Sequence, residues 1–136
     1  MVHGWESNAC HRFLLSPGGI SSPPAVSTVG PSHEGGGSFN GAANAIGSLR
    51  GSPNGTKLAL AQRGTQVELY DFDNATGTVS NLLSPRGLSH RYYGIAFSPD
   101  NSRRYTTTYS SKGVGSDIYQ DDLQAGPAEA TRAPER

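Results

Sequence analysis

Two stretches of this sequence repeat each other. The first reads Ser52-Pro53-Asn54-Gly55-Thr56-Lys57-Leu58, and the second, 46 residues later, reads Ser98-Pro99-Asp100-Asn101-Ser102-Arg103-Arg104. Each comes after a short apolar run and before a segment that mixes acidic and aromatic residues, at 67–72 and 118–123. A period in the forties with several short strands in each unit is typical of a β-propeller blade. The repeat therefore predicts an all-β chain.

The composition favours strands and turns over helices. Only 16% of the residues are charged, and the chain has 18 Gly and 9 Pro, a balance typical of short strands joined by turns. Lys and Arg number 11, as do Asp and Glu, so the formal net charge is zero. Nucleic-acid-binding proteins normally have a basic excess or a basic stripe, and this sequence has neither. We therefore expect no nucleic-acid partner.

Cysteine content and hydropathy limit the cellular compartments that suit the chain and its association with membranes. Cys10 is the single cysteine, so no intrachain disulfide can form. That fits the cytosol and equally fits secreted bacterial proteins without disulfides. No stretch approaches the ~18 apolar residues of a transmembrane helix, and residues 1–7 lack the pattern of a signal peptide. We expect no membrane span; if the parent protein is secreted, this chain begins inside it.

Turn signals divide the chain into five segments. A partial blade is predicted at 1–32, where a turn at Pro17-Gly18-Gly19 joins strands at 12–16 and 25–29. A glycine-rich connector follows at 33–44. It has neither a phosphate-loop nor a G-x-G-x-x-G pattern, although a ligand loop stays an alternative. Blades are predicted at 45–84 and 85–130, and a flexible tail at 131–136.

Each of the two blades is predicted to hold four antiparallel strands. In the first blade, the first strand ends near Gly51 and the other three cover 57–61, 67–73 and 78–82. Apolar residues lie on both faces of this blade. In the second blade, strands are expected at 92–97, 105–109 and 118–123, with a longer loop at 110–116. The predicted fold class is an all-β, incomplete β-propeller of about two to three four-stranded antiparallel blades.

Four segments carry a family resemblance: NAIGSLRGSPNGTKLALAQ, VELYDFDNATGTVSN, YGIAFSPDNS and IYQDDLQAG. They resemble blades of large secreted propeller proteins of gliding Bacteroidetes, and SNACHRFLLSPGGISSPPAVSTVGPSHEGG resembles the preceding blade. Proteins of that family often carry a gliding-motility-associated or type IX secretion sorting domain, and the repeat is also similar to WD-like and YVTN-like propellers. The resemblance implies an extracellular or cell-surface module and supplies no catalytic residues.

Three positions depart from the repeat. Gly51 stands where the second unit has Phe97, Arg104 aligns with Leu58, and Asp121 aligns with Tyr70. A buried charge is costly unless it pairs or extends to solvent, so we expect these changes to weaken the blades.

Two to three blades are fewer than the about four of a closed ring, so we expect a fragment, a truncated reading frame or a decayed copy. Its expected partners are the missing blades of a parent propeller, another protein or a second copy. The apolar residues expected on the uncovered outer faces are Phe13, Leu15, Tyr93, Phe97 and Tyr109.

No residue is assigned to a catalytic, cofactor or metal site. The four histidines (His3, His11, His33 and His90) lack metal-ligand spacing, although His33-Glu34 could contribute to a site. Residues 71–74 begin like a calcium loop but lack its Gly and its closing Glu, so a strand-end turn is preferred. No G-x-S-x-G elbow is present.

Other motifs also have simpler explanations. Asn54 and Asn74 match glycosylation sequons, yet both lie in turn-rich sequence. Packing in a core or between blades is preferred to carbohydrate stacking for four tyrosines, Tyr92, Tyr93, Tyr105 and Tyr109.

Two function classes remain, beside the possibility that the chain has no independent function. The first is a non-enzymatic structural or interaction module of a secreted or cell-surface protein. The second is a fragment of a lactonase-like or lyase-like propeller enzyme, which would need inward-pointing ligands at equivalent positions of successive blades. The repeat shows no such ligands.

Overall fold

The computed structural model describes residues 1–4, 6–33, 46–63, 67–83, 91–109 and 116–125. All regular elements in these ranges are β-strands, and all strand pairs are antiparallel, which confirms the all-β prediction. The strands are β1 (Val2–His3), β2 (Ser7–Arg12), β3 (Leu15–Ser16), β4 (Gly19–Ile20), β5 (Ala25–His33), β6 (Gly47–Gly51), β7 (Lys57–Gln62), β8 (Val67–Asp73), β9 (Thr78–Leu82), β10 (Tyr92–Phe97), β11 (Arg103–Thr108) and β12 (Ile118–Asp122).

The strands form three sheets and a separate hairpin. The first sheet has the order β1-β2-β5, the middle sheet β6-β7-β8-β9 and the last sheet β10-β11-β12. The short strands β3 and β4 pair only with each other. In the middle sheet each strand pairs with the next along the chain, and the last sheet repeats this order through its three described strands.

The repeated sequence forms the same turn twice. In the first copy, Ser52 N donates to Lys57 O and Lys57 N donates to Ser52 Oγ, both at 2.9 Å. In the second copy, Ser98 and Arg103 make the two equivalent bonds at the same distance. The two turns also touch, because Asn54 N donates to Asn101 Oδ1 at 3.0 Å. The 46-residue sequence repeat is therefore also a structural repeat.

The middle sheet packs against both of its neighbours, as the sequence predicted. Side chains alternate between the two faces of a strand. One face is small and aliphatic, and it forms a core with the last sheet; the members are Ala59, Ala61, Val67 and Leu69 with Tyr92, Ile95 and Tyr119. The opposite face forms a second core with the first sheet; its members are Leu58, Tyr70 and Val79 with Cys10. The order of the sheets in space thus follows the order of the chain.

The strand bounds agree with the sequence for β8, β9 and β10, while β7 ends one residue later than predicted. β11 begins two residues earlier than predicted, because Arg103 and Arg104 already pair with Asp122 and Asp121 of β12. Phe72 shares the face of Tyr70, since both belong to the core beside the first sheet.

The first segment differs more from the prediction. The turn at Pro17-Gly18 closes only the short β3–β4 hairpin, in which Leu15 pairs with Ile20. The longer pairing joins β2 to β5, with Arg12 opposite Ala25. The predicted strand at 12–16 is therefore divided between β2 and β3.

Four expected features lie outside the described residues. They are the glycine-rich connector beyond His33, most of the longer loop at 110–116, a fourth strand in the second repeat unit, and the tail at 131–136.

Arg104 and Asp121, which the sequence suggested as two separate losses, are partners. Arg104 Nε and Nη2 donate to Asp121 Oδ2 at 2.8 and 2.6 Å, and both residues are buried. They lie opposite each other on β11 and β12, in the register that places Leu58 opposite Tyr70 on β7 and β8. An ion pair in the last sheet thus occupies the place of an apolar pair in the middle sheet.

This equivalence predicts the outcome of a swap. Arg104→Leu alone leaves a buried carboxylate unpaired and should lower the free energy of unfolding by about 3–5 kcal/mol. Adding Asp121→Tyr recreates the pair of the middle sheet and should bring stability back to within about 1 kcal/mol of the parent chain, or above it. Urea unfolding measures both. A double variant as unstable as the single one would contradict the pairing.

Candidate functional site

The most deeply buried large side chain among the described residues is a carboxylate, that of Glu68, which is 1% exposed. Its neighbours on β8, Val67 and Leu69, face the last sheet. Strand alternation therefore turns Glu68 toward the first sheet. A carboxylate so far from water needs several hydrogen-bond donors.

Three donors converge on Glu68. Tyr70 OH donates to Oε2 at 2.6 Å, and Gln62 Nε2 donates to Oε1 at 2.7 Å. His33 Nε2, from the end of β5, lies 3.0 and 3.1 Å from the two carboxylate oxygens. We refer to His33, Gln62, Glu68 and Tyr70 as the Glu68 network. It joins the first sheet to the middle sheet, since His33 belongs to one and the other three residues to the other.

A second histidine extends the network. The rings of His3 and His33 are stacked, with centroids 3.8 Å apart and an angle of 16° between the planes. His3 Nδ1 lies 2.9 Å from Gly4 O, which can only accept, so Nδ1 carries the proton. Burial and the neighbouring His33 lower the pKa of His3 below its usual value of 6.5. His3 is therefore a neutral ring at neutral pH.

The environment suppresses ionisation of the other groups beside the network. Burial, together with the hydrogen bond to Glu68, raises the pKa of Tyr70. Burial likewise raises the pKa of the Cys10 thiol, so a nucleophilic thiolate is disfavoured. Gly30 (φ 80°) allows the Tyr70 hydroxyl to reach Glu68, because a Cβ at position 30 would overlap that hydroxyl.

A cavity of about 320 Å³ adjoins the network between β1, β6 and β7. His33 and Gln62 form part of its polar lining. Its apolar lining includes Ile46, Leu49 and Leu60. The Glu68 side chain does not line the cavity, and its two oxygens are occupied by three donors.

This arrangement is better suited to holding two sheets together than to catalysis. A general acid or base must reach a substrate, whereas Glu68 is enclosed on all sides. In the part of the chain that the structure describes, no three His, Cys, Asp or Glu residues are close enough together to hold a metal ion. The site is accordingly a buried polar clasp beside a small cavity.

The structure brings together two of the histidines seen in the sequence. His3 and His33 stack, His11 lies on β2 outside the stack, and Glu34 and His90 fall outside the described residues. The 71–74 segment forms a strand-end turn, in which Asp73 Oδ1 and Oδ2 accept from Ala75 N and Thr76 Oγ1.

The four tyrosines have different environments. Tyr92 is buried, as expected, and Tyr105 is half-buried, whereas Tyr93 and Tyr109 are exposed. Arg63 lies 4.6 Å from the ring centroid of Tyr109. Core packing thus explains Tyr92 but not Tyr93 or Tyr109.

Sequence reasoning missed Glu68, the centre of the site. The available signal was an acidic residue inside a strand predicted to be buried on both faces. Such a residue must find partners. Its partner on the other sheet, His33, is 35 residues away, and only the stacking of two sheets brings the pair together.

The chain matches no known family model, no curated protein and no solved structure. Among the described residues, no helix is long and apolar enough to cross a membrane.

The first prediction for the site concerns Glu68. Glu68→Gln keeps the size but removes the charge that three donors share, so the free energy of unfolding should fall by about 3 kcal/mol. Tyr70→Phe, which removes one donor, should cost about 1.5–3 kcal/mol. The matched control is Asp71→Asn on the same strand, whose partly exposed pair with Lys57 should contribute at most about 1 kcal/mol. Equal losses for Glu68→Gln and Asp71→Asn would contradict the clasp.

The second prediction concerns pH. Because the folded chain lowers the pKa of His3, the unfolded chain takes up the proton first as the pH falls. His3 should therefore lower stability as the pH falls below 6.5. Urea midpoints measured from about pH 7.5 to about pH 5.5 should fall less for His3→Phe than for the parent chain. His11→Phe, outside the stack, is the control and should keep the dependence; an unchanged slope for His3→Phe would refute the assignment.

Proposed function

We propose that this chain is a non-enzymatic interaction module. Its three stacked sheets would be blades of a propeller-like assembly in a secreted or cell-surface protein. The single observation that carries the proposal is the unequal covering of the sheets. Among the residues that the structure describes, the middle sheet buries both faces, whereas the first and last sheets each bury one.

The repeat supports blades rather than unrelated sheets. The two Ser-Pro turns have the same hydrogen bonds and touch through Asn54 and Asn101. The sheets stack in chain order through their faces, which is how propeller blades pack. The secreted setting rests on the sequence resemblance to gliding-motility-associated, type IX-secreted proteins.

The uncovered faces carry exposed apolar residues on the outer strands of each sheet. On the first sheet, Val2 and Val26 are 55% and 53% exposed, and on the last sheet, Tyr93 and Ile118 are 54% and 51% exposed. Phe13, Leu15 and Tyr109 are also exposed, as expected, but Phe97 is partly buried against the core between the middle and last sheets. Contiguous exposed apolar residues on a soluble domain mark interaction surfaces.

The alternative is a fragment of a lactonase-like or lyase-like propeller enzyme. The cavity beside His33 and Gln62 is the observation that favours it. Against it stands the enclosure of Glu68, which leaves the cavity without an accessible carboxylate from the network. The interaction module therefore explains more of these structural features than the enzyme fragment does.

The test compares the parent chain with a variant carrying Val26→Lys and Ile118→Lys, one change on each uncovered face. Both side chains are about half exposed, so the variant should melt at nearly the same temperature. It should bind much less of a fluorescent apolar dye than the parent chain. Leu14→Lys, in the exposed link between β2 and β3, is the control and should keep most dye binding. Equal dye binding by parent and double variant would overturn the proposal.

A further inference from the structure

The two sheet faces that the described residues leave uncovered are not equivalent. Each sheet has one face that turns toward the preceding sheet and one that turns toward the following sheet. In the middle sheet, Leu58 and Tyr70 face the preceding sheet, while Ala59 and Leu69 face the following one. A contact between neighbours always joins a following-type face to a preceding-type face.

The last sheet leaves its following-type face open. Arg104, Thr106 and Thr108 on β11 are buried, so Tyr105 and Thr107 lie on the open side. Ile118 and Gln120 on β12 lie there by the same alternation, opposite Thr107 and Tyr105. By the repeat, these four residues occupy the places of Ala59, Ala61, Val67 and Leu69, the face with which the middle sheet binds its follower.

The first sheet leaves its preceding-type face open. Cys10 packs on the middle sheet, and Ser27 Oγ accepts from Val79 N at 3.1 Å, so both side chains face the middle sheet. Their strand neighbours Ala9, His11 and Val26 therefore face away from it. This open face and that of the last sheet are thus the two halves of the contact that the chain uses twice internally.

The charged side chains on the two open faces do not oppose a contact between those faces. On the strands of the first sheet, the open face carries no Lys, Arg, Asp or Glu, and His11 is its titratable group. On those of the last sheet, the charged residues are Arg103 and Asp122, which pair at 3.5 Å. Two such faces can meet without leaving an unpaired charge between them.

We infer that the open face of the last sheet binds the open face of the first sheet in a second copy of this chain, head to tail. The inference rests on the proposed interaction function and names its partner. Three strands of about five residues cover a footprint of about 240 Å², well below the about 800 Å² per partner of a typical stable interface. One contact is therefore weak, and a closed pair that makes two contacts at once is favoured.

The experiment uses two single substitutions, Ile118→Lys on the last sheet and Val26→Glu on the first. In a head-to-tail pair, each substitution places an unpaired charge in both contacts. Each should weaken dimerisation, measured by sedimentation velocity over a wide concentration range, by about 100-fold or more. An equimolar mixture should recover a dimer, because one of its two contacts joins unaltered faces. Leu14→Lys is the control and should dimerise like the parent chain.

Other outcomes would overturn the inference. If the first sheets bound each other, Ile118→Lys would have no effect and mixing would not rescue Val26→Glu. If the last sheets bound each other, Val26→Glu would have no effect and mixing would not rescue Ile118→Lys. Loss of the dimer in Leu14→Lys would assign the contact to the β3–β4 hairpin. A parent chain that stays monomeric would exclude a second copy as partner. If its faces still bind dye, the interaction function stands and another protein's sheet is the occupant.

Discussion

A sheet with two apolar faces must have both of them covered, and the rest of this structure follows from that requirement. In β7, every side chain from Leu58 to Gln62 is buried, although neighbouring residues point in opposite directions. No single neighbour can achieve this. The first sheet covers one side and the last sheet the other, so the middle sheet depends on both. A stack of sheets also has two ends, and within the described ranges each end leaves one face without a neighbour.

Polar groups add specificity to these apolar contacts. The Glu68 network is satisfied only when His33 of the first sheet meets Gln62 and Tyr70 of the middle sheet. A shifted or reversed first sheet would bury Glu68 with one donor missing, which is costly in an apolar setting. The apolar core therefore supplies the adhesion, and the network selects one arrangement of the two sheets.

The sequence predicted the middle sheet well because its determinants are local. Period-two alternation, the Ser52-Pro53 turn and the turn at 74–77 define β7, β8 and β9 within a few residues of chain. The first sheet was harder to predict, because the pairing of β2 with β5 spans the β3–β4 hairpin that the Pro17-Gly18 signal marks. The site was not predicted, because stacking of two sheets creates it. His33 and Glu68 have no local pattern in common.

The repeat preserves geometry more than chemistry. Glu68 and Tyr70 on β8 correspond to Tyr119 and Asp121 on β12, so each strand carries one acid and one aromatic residue, in opposite order. All four are buried on the face toward the preceding sheet. In the middle sheet the acid meets donors that include one from the preceding sheet, His33. In the last sheet it meets Arg104 of its own neighbouring strand.

The different partners of the two buried acids have a structural consequence. The contact between the first and middle sheets has a polar clasp across it. In the last sheet the acid is neutralised within the sheet, so its contact with the middle sheet relies more on the apolar core around Tyr92 and Ile95. One face geometry thus supports two kinds of contact, one restricted to a matching partner and one more permissive. The open faces carry no buried acid of this kind. A contact between them would therefore be of the permissive kind, like the apolar contact between the middle and last sheets.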